Sequence, residues 1–545
     1  MRAATSLALA LYLGFTAAGA LAQDASVTEA LHLRLDQLKA AGRIDVGQST
    51  ILSRQALPRI YESNGYRPIW TAQGLAALTG LVRDAAQDGL DPEDYHLTDL
   101  TKLAPAVSAS DANQRAQLDL VATDAYTLLL YHLYFGKVDP VSIHPSWNFD
   151  KRAGGKEDVV PLAKEALSTQ SRLADAVAKA RPSQYMYEAM RAALAQYRAI
   201  EAKGGWSTIP DGPALKVGSQ GERVAALRQR LSASGELSGQ PLDSPTYDEP
   251  LAAAVRAFQE RHKLSADGAL GAGTLKELNV PVAARIDQIR VNLERGRWVL
   301  HEITSADLVV IDIAGFEVSL LRDRKVQWQG KAQVGKPYRQ TPVFKSAIDN
   351  VVFNPTWTVP PGILGKDILP GVRRDPNYLA KKKLQVIDRS GQPVDASSVD
   401  WSRYNGNNFP YMLRQGPGPD NALGLVKINF PNSYLVYLHD TPSKGLFDQN
   451  ERAFSSGCIR VERPLELAAL LLNDPQNWNP NSIDAVIKTG TTRTVRLPKP
   501  VPVLLMYWTV DPTSAGRVVF KRDPYGRDAK MLQALDAPLK SSPVR

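Results

Sequence analysis

Residues 454–461 of the chain read FSSGCIRV, and residues 434–440, shortly before them, read YLVYLHD. Cys458 is the single cysteine of the 545-residue chain, and His439 is the only histidine of its C-terminal part. A thiol becomes a nucleophile near neutral pH when a neighbouring base accepts its proton. The apolar residues 434–438 predict a strand that places His439 at its end, and the Ser-Ser-Gly before Cys458 predicts a turn that presents the thiol.

Each of these residues has a role in such a thiol chemistry. Cys458 is the candidate nucleophile, and a neighbouring imidazole is expected to lower the pKa of its thiol from the usual value of about 8.5. His439 is the candidate base, which takes the proton and later returns it to a leaving amine. Gly457 has no side chain, so its backbone can approach a ligand closely. The amides of Ser456, Gly457 and Cys458 are candidate donors to an oxyanion.

The sequence leaves open which group orients the His439 imidazole. Asp440 is the next residue, but neighbouring side chains on a strand point to opposite faces. A backbone carbonyl is therefore at least as good a candidate as the Asp440 carboxylate.

The composition limits which cofactors and partners are expected. No metal centre or other cofactor is expected, because structural zinc takes four protein ligands and catalytic zinc takes three, whereas the C-terminal part has one cysteine and one histidine. The formal net charge of +9 suits an anionic surface. The sequence contains no run of basic and aromatic residues of the kind that forms a nucleic-acid groove. No nucleic-acid partner is therefore expected.

The N-terminus, residues 1–22, has the pattern of a signal peptide. Arg2 supplies the positive start, an apolar stretch follows over residues 7–15, and Ala20-Leu21-Ala22 fits a cleavage site before Gln23. We therefore expect export to the periplasm, with an uncleaved membrane anchor as the alternative. In an oxidising compartment a lone cysteine has no intramolecular disulfide partner, so Cys458 is either buried or functional.

The length and the changes of pattern predict an α+β multidomain chain, since a single core rarely serves so many residues. Alanine and leucine at helical spacing dominate the first part, three short helices follow, and alternating strand patterns begin near Leu308. The expected divisions are a mostly helical scaffold over residues 24–205, a three-helix unit over 212–280, a β-rich catalytic domain over 303–500 with an inserted lid over about 360–410, and a segment over 501–545 that packs on the scaffold or the catalytic domain.

Two parts of the chain resemble known families. The segments VGSQG at 217–221 and AVRAFQ at 254–259, with Asp267-Gly268 after them, are similar to the three-helix peptidoglycan-binding domain. The C-terminal part resembles the catalytic domain of L,D-transpeptidases, which carry a histidine, a spacer of about fifteen residues and then Ser/Thr-His-Gly-Cys. Here 15 residues separate His439 from Ser455.

One position departs from that pattern, because Ser456 stands where the family usually has a second histidine. The upstream histidine is the family's base, so the resemblance leaves the mechanism intact. Three further segments are similar to the large periplasmic branch of the family, namely NPTWTVPP at 354–361, NALG at 421–424 and DPYGRD at 523–528.

The resemblance implies an enzyme that cross-links peptidoglycan. The thiolate would attack the carbonyl between the L-centre of meso-diaminopimelate and the terminal D-alanine of a tetrapeptide stem, and the amine of a second stem would resolve the thioester. Trp357 and Tyr437 would line the stem-peptide groove, with a place in the core as their alternative. Arg460 would bind a substrate carboxylate or form a structural ion pair. The implied partners are stem peptides, other cell-wall synthases and carbapenem inhibitors.

Three other functions remain open at this stage. With water as the acceptor, the same pair would act as a peptidoglycan hydrolase or carboxypeptidase. With a lysine amine as the acceptor, it would attach an outer-membrane lipoprotein to the wall. The third alternative is a non-catalytic wall-binding scaffold, which the presence of both Cys458 and His439 argues against.

Overall fold

The computed structural model describes residues 25–149, 158–513 and 517–539. The expected signal peptide, residues 1–22, lies outside the described residues. Within these ranges, no helix is both long enough and apolar enough to cross a membrane.

The N-terminal part is built around one long helix, Ala112–Phe135. The Asp111 side chain begins it by accepting hydrogen bonds from the backbone N–H groups of the first turn. Most of its residues are buried on every side, so it forms the centre of the bundle. Around it lie helical residues 25–41, the hairpin β1 (Ile44–Val46) and β2 (Ser49–Ile51), and the helices Ala56–Ser63, Ala72–Asp84, Leu97–Leu103, Pro140–Ile143, Val160–Thr169, Leu173–Ala180 and Tyr185–Ala202, with 3-10 turns at Ala85–Asp88, Pro92–Tyr95 and Ala104–Ser108.

A three-helix unit follows, with the helices Glu222–Ala233, Glu249–Arg261 and Ala272–Leu278. Its apolar core, between Ile209 and Leu278, is separate from that of the rest of the chain. The side chain of Gln259 holds the loop before the third helix, because its amide donates to Asp267 (2.7 Å) and its carbonyl accepts from the Gly268 amide (2.9 Å). Gly268 has φ +72°, a backbone conformation that favours glycine.

The helix Val282–Val299 connects this unit to the β-rich part and packs on the N-terminal helix Tyr185–Ala202. Its buried Glu294 accepts from the Val138 amide at 2.7 Å and pairs with Arg297. The strands that follow are β3 Leu308–Asp312, β4 Glu317–Arg322, β5 Lys325–Gly335, β6 Phe344–Phe353, β7 Trp357–Thr358, β8 Gln385–Ile387, β9 Pro393–Val394, β10 Met412–Gln415, β11 Val426–Asn429, β12 Leu438–His439, β13 Ala453–Ser455, β14 Ile459–Val461, β15 Arg493–Met506, β16 Val510–Pro512 and β17 Val518–Phe520.

The main sheet closes on itself. Its order is β5-β14-β12-β11-β6-β15-β3-β4, and β4 pairs back with β5, while β13 adds to one end of β5. Asp323 and Arg324 form the tip of the β4–β5 hairpin, both with positive φ, as a two-residue type I′ turn requires. The helices Pro464–Leu472 and Pro480–Lys488 pack beside the sheet, and 3-10 turns lie at Leu300–Glu302 and Lys444–Asp448. The expected α+β multidomain class is confirmed.

An insertion with its own apolar core lies between β6 and β11. It contains the small sheet β7-β10-β8-β9, the helical turns Pro361–Ile363, Leu369–Arg374 and Tyr378–Lys381, a π turn at Leu364–Ile368 and a 3-10 turn at Ala396–Ser398.

The C-terminal segment differs from the expected division at residue 500. β15 continues to Met506, and its last residues pair with β3 in the main sheet. Pro498 and Pro500 lie in a bulge between Arg496 and Val501, whereas Pro502 pairs with Ala347 of β6. The final helix, Arg527–Asp536, then packs on the connecting helix.

Candidate active site

A cavity of about 490 Å³ lies where the main sheet meets the insertion. All seven residues that the sequence analysis singled out line it, although they come from three separate stretches of the chain. They are Trp357, Tyr437, His439, Ser456, Gly457, Cys458 and Arg460.

Two neighbouring strands bring the cysteine and the histidine together. β12 and β14 run parallel, with Leu438 opposite Ile459 and His439 opposite Arg460. Cys458 precedes β14 directly, so it lies level with Tyr437, which is two residues before His439 on the neighbouring strand. The two residues are 19 positions apart in sequence, and the pairing of the strands makes them near neighbours.

The strand expected over residues 434–438 is shorter than predicted, because only Leu438–His439 pairs in the sheet. Leu435 has φ +57°, which interrupts an extended backbone. The Asn432 side chain stabilises the resulting turn, since it donates to the Val436 carbonyl and accepts from the Tyr434 and Val436 amides. This irregular turn forms part of the cavity wall.

A backbone carbonyl orients the His439 imidazole. Its Nδ1 donates to the main-chain oxygen of Asp440 at 2.5 Å. The Asp440 carboxylate instead accepts from the Leu425 amide at 3.0 Å. Because a carbonyl can only accept, Nδ1 carries the hydrogen, and Nε2 keeps the lone pair that a base needs.

The imidazole is buried, and burial together with the positive charges of Arg460 and Lys427 lowers the pKa of His439 to about 3. It is therefore neutral near neutral pH. Lys427 escaped the sequence analysis, although it lies opposite His439 on β11 and places its Nζ 4.0 Å from the centre of the Tyr437 ring. The alternation of side chains along β11 is the signal that could have found it.

The thiol differs from its expected state, because burial raises the pKa of Cys458 above its usual value. Hydrogen bonds from the backbone and side chain of Tyr437, and the charges of Lys427 and Arg460, oppose this rise without overcoming it. The Cys458 thiol donates to the Leu435 carbonyl at 3.5 Å. These shifts favour a neutral thiol and a neutral imidazole, rather than a thiolate stabilised by an imidazolium.

The turn before Cys458 is held by Ser455, whose role the sequence analysis missed. Its hydroxyl donates to the Cys458 carbonyl (2.5 Å) and accepts from the Gly457 amide (3.1 Å). The Gly457 amide is therefore not available to an oxyanion, contrary to expectation. In the part of the chain that the structure describes, the amides of Ser456 and Cys458 have no partner, and they remain as candidate donors.

Further contacts fix this turn from the β5–β6 loop. Thr341 donates its hydroxyl to the Gly457 carbonyl at 2.9 Å. The Tyr525 hydroxyl contacts both the Thr341 amide and the Gly335 carbonyl. Tyr525 belongs to the segment DPYGRD at 523–528, so this segment helps to hold the turn before Cys458.

Arg460 has no carboxylate partner among residues 25–149, 158–513 and 517–539. Its Nη1 donates to Gln333 at 3.1 Å, and its buried Nε has no hydrogen-bond partner there. The structural ion pair that the sequence left open is therefore absent from these ranges. The same described ranges contain no group of three or more histidine, cysteine, aspartate or glutamate side chains that could hold a metal ion.

Comparison with family models assigns three regions. Residues 306–503 match a model described as "L,D-transpeptidase catalytic domain". Residues 220–278 match "Putative peptidoglycan binding domain", and residues 55–194 match "Scaffold domain".

A curated relative is consistent with the first of these matches. A Haemophilus influenzae protein named "Putative L,D-transpeptidase" is 37% identical over 223 residues, which are 41% of this chain. The chain spans less than half of that relative's length, at 45%.

The structural likenesses are weak. An L,D-transpeptidase from Mycobacterium smegmatis has a TM-score of 0.18 and 14% identity, covering 37% of this chain and 58% of its own. One from Xylanimonas cellulosilytica has a TM-score of 0.18 and 16% identity, covering 55% and 99%.

Proposed function

We propose that this chain, whose residues 306–503 contain an L,D-transpeptidase catalytic domain, cross-links peptidoglycan stems through a thioester on Cys458. The observation that carries the proposal is the arrangement in one cavity of Cys458, of an imidazole whose Nε2 lone pair is kept available, and of two unpaired backbone amides. These are the nucleophile, the base and the oxyanion donors that acyl transfer requires.

The first half-reaction forms the thioester. The Cys458 sulfur attacks the carbonyl between diaminopimelate and D-alanine while its proton passes to His439 Nε2. The carbonyl oxygen becomes an oxyanion that the Ser456 and Cys458 amides stabilise. The carbon–nitrogen bond then breaks, and D-alanine leaves with the proton that His439 returns.

The second half-reaction releases the product. The side-chain amine of a second stem's diaminopimelate attacks the thioester, and the sulfur leaves and recovers a proton through His439. The energy of the original peptide bond is kept in the thioester, so no nucleotide is consumed. The product links two third-position residues.

The positive charges in the cavity and directly behind its wall favour an anionic stem peptide. Arg460 and Lys427 are partly or largely buried without a carboxylate partner in the described ranges, an arrangement that costs free energy in the absence of a ligand. A substrate carboxylate at Arg460 would supply the missing charge. Trp357 and Tyr437 line the same cavity, which supports their proposed place in the stem-peptide groove.

The region matched as a peptidoglycan-binding domain supports wall association as the second part of the function. We propose that it holds the enzyme on the sacculus, and that the chain acts in the periplasm, where its substrate lies. Cooperation with other cell-wall synthases is a further proposal on the same basis.

The acceptor is tested by incubating the protein with purified, tetrapeptide-rich wall and analysing the muropeptides by mass spectrometry. Dimers linked between third-position residues are the expected product. Tripeptides without dimers would favour the hydrolase, and a wall-linked lipoprotein lysine would favour lipoprotein attachment. No change in the wall would favour a non-catalytic binding protein.

The nucleophile is tested by intact-protein mass spectrometry with a carbapenem, whose strained carbonyl is also an electrophile. We expect one covalent adduct on the wild type and none on Cys458→Ala, and Cys458→Ser should form no cross-links. Equal labelling of the wild type and Cys458→Ala would contradict the assignment of Cys458.

A further inference from the structure

Arg339 lies in the loop between β5 and β6 and lines the cavity together with Cys458. Its Nη1 donates to Asp367 Oδ2 at 2.6 Å, and its Nη2 donates to Asp367 Oδ1 at 3.1 Å. The same Nη1 donates to the Ser456 hydroxyl at 2.9 Å. One guanidinium therefore holds both oxygens of a carboxylate, next to the catalytic turn, in the geometry by which arginine recognises carboxylates.

Asp367 belongs to the insertion, in its π turn Leu364–Ile368. Most of the insertion, residues 359–411, makes its polar contacts within residues 357–424. Within the described parts of the chain, the pair of Asp367 with Arg339 is the single hydrogen bond or ion pair from residues 359–411 that leaves this range. The Asp367 side chain is 44% exposed, whereas that of Arg339 is 16% exposed. Water therefore reaches the carboxylate side of the pair more easily than the guanidinium side.

These exposures decide which partner can exchange. An ion pair that water reaches contributes little net stability, so a second carboxylate can displace the first. The loop that carries Arg339 is fixed independently, because the Arg339 amide donates to the Lys336 carbonyl at 2.8 Å and the neighbouring Gln340 accepts from Arg527 at 2.7 Å. The arginine can therefore stay in place while its carboxylate changes.

The lining of the cavity has one sign of charge. Arg339, Lys366 and Arg460 line it, and no aspartate or glutamate does. A ligand that fills the cavity would therefore contact three positively charged side chains. The carboxylate that binds Arg339 in this structure is that of Asp367, which belongs to the insertion and does not line the cavity. This pattern is selective for a ligand with more than one carboxylate.

We propose that Arg339 is a binding site for a carboxylate of the stem peptide, and that Asp367 occupies this site until the substrate replaces it. The proposal rests on the proposed function and adds a second carboxylate contact to that of Arg460. It also means that substrate binding releases the polar contact that joins residues 359–411 to the catalytic domain beyond residues 357–424.

Binding measured on inactive protein tests this site separately from catalysis. Every variant carries Cys458→Ala, and the dissociation constant of a soluble tetrapeptide stem is measured by titration calorimetry. Arg339→Gln should weaken binding about 10-fold to 100-fold, as expected for the loss of a charged hydrogen-bonded contact. Asp367→Asn should strengthen binding about 2-fold to 5-fold, because it removes an exposed competitor.

Three controls interpret these changes. Asp375→Asn, which breaks an exposed pair with Lys381 elsewhere in the insertion, should change nothing. Asp367→Asn should have no effect in the Arg339→Gln background, because the two act at one site. Arg339→Lys keeps the charge but loses the bidentate contact, so it should bind with intermediate affinity. Melting temperatures show whether each variant is folded.

Three stem peptides identify which carboxylate binds Arg339, because each has a different carboxylate replaced by an amide. The replaced group is that of the second-position glutamate, of the diaminopimelate side chain or of the terminal D-alanine. The amide that removes the ligand of Arg339 should bind wild-type and Arg339→Gln backgrounds equally. The proposal is overturned if Asp367→Asn and Arg339→Gln both weaken binding, if no amide loses its sensitivity to Arg339, or if the parent binds no tetrapeptide. Binding as expected, without D-alanine release by the active enzyme, would overturn only the proposed function.

Discussion

At the scale of single residues, the site is defined by two groups that burial keeps uncharged. Burial disfavours both the imidazolium of His439 and the thiolate of Cys458. Lys427 and Arg460 act on them in opposite senses, since positive charge disfavours the imidazolium further and favours the thiolate. We therefore expect the proton to move only when substrate is present, so that the negative charge develops next to Lys427 and Arg460.

This arrangement predicts an unusual pH dependence. With a pKa of about 3, His439 loses its ability to accept a proton only as the pH falls far below the ordinary histidine value. The rate of carbapenem acylation should change less than about twofold between pH 7 and pH 5, whereas a base with a pKa of about 6.5 would lose about 25-fold.

Stopped-flow or mass-spectrometric acylation rates check this, because acylation does not involve an acceptor amine. His439→Ala should acylate slowly at every pH. A wild-type rate that falls tenfold between these two pH values would contradict the assignment of a neutral buried base.

The proposed nucleophile and base were predictable, but their protonation was not. The sequence pattern identifies Cys458 and His439 because each is the only residue of its type nearby. The rise in the pKa of the Cys458 thiol is caused instead by burial, and Lys427, which strand register places opposite His439, only opposes it. Arg339 is equally invisible in the sequence, because its partner Asp367 lies in a separately folded insertion.

At the scale of elements, local pattern predicts strands well and their ends poorly. The β4–β5 hairpin has its tip at Asp323 and Arg324, as the sequence indicates, because the turn and the alternation agree. The strand over residues 434–438 is mostly a turn instead, because the Asn432 side chain satisfies the backbone there. An apolar run does not reveal such a side-chain contact.

The three-helix unit shows how an element can be joined to its neighbours by buried polar groups. Arg261 donates to the Tyr197 hydroxyl at 2.8 Å and pairs with the fully buried Glu236. The His262 ring stacks on Phe520, with 5.4 Å between the ring centres. Deleting residues 212–280 would expose this contact surface, so point substitutions are the cleaner test of the unit.

Arg261→Ala should destabilise the protein by about 3–5 kcal/mol, because Glu236 would keep a buried charge without its partner. Arg256→Ala removes the same side chain from an exposed pair with Glu249 in the same helix and should cost less than about 1 kcal/mol. Denaturant unfolding of both variants measures the difference. Equal effects would show that the Arg261 pair contributes no more than a surface contact.

At the scale of the whole molecule, the scaffold and the catalytic part share one core. A continuous set of buried apolar residues extends from Val27 in the scaffold to Leu535 in the last helix. Hydrogen bonds also cross the interface between the two parts. Asn148 makes two with the backbone of Lys345, and Ser146 makes one each with Val343 and Tyr434. Tyr434 lines the cavity, so the scaffold supports the site directly.

A shared core predicts shared unfolding. The scaffold and catalytic parts should unfold in one cooperative transition, and a fragment beginning at residue 303 should not fold, because it would expose the surface that the scaffold covers. Differential scanning calorimetry of the full chain and near-ultraviolet circular dichroism of the fragment measure this. A stable fragment with its own sharp transition would show that the two parts are independent.

The closed ring of strands sets an order on how the chain can fold. β3 lies at Leu308–Asp312 and its partner β15 ends at Met506, so the ring closes only after nearly 200 intervening residues have found their places. Contacts between such distant segments form slowly. Until they form, β3 presents an unpaired edge to neighbouring chains, which is a hazard for aggregation. A chain that emerges from its N-terminus therefore has its most vulnerable period after β5 is made and before β15 arrives.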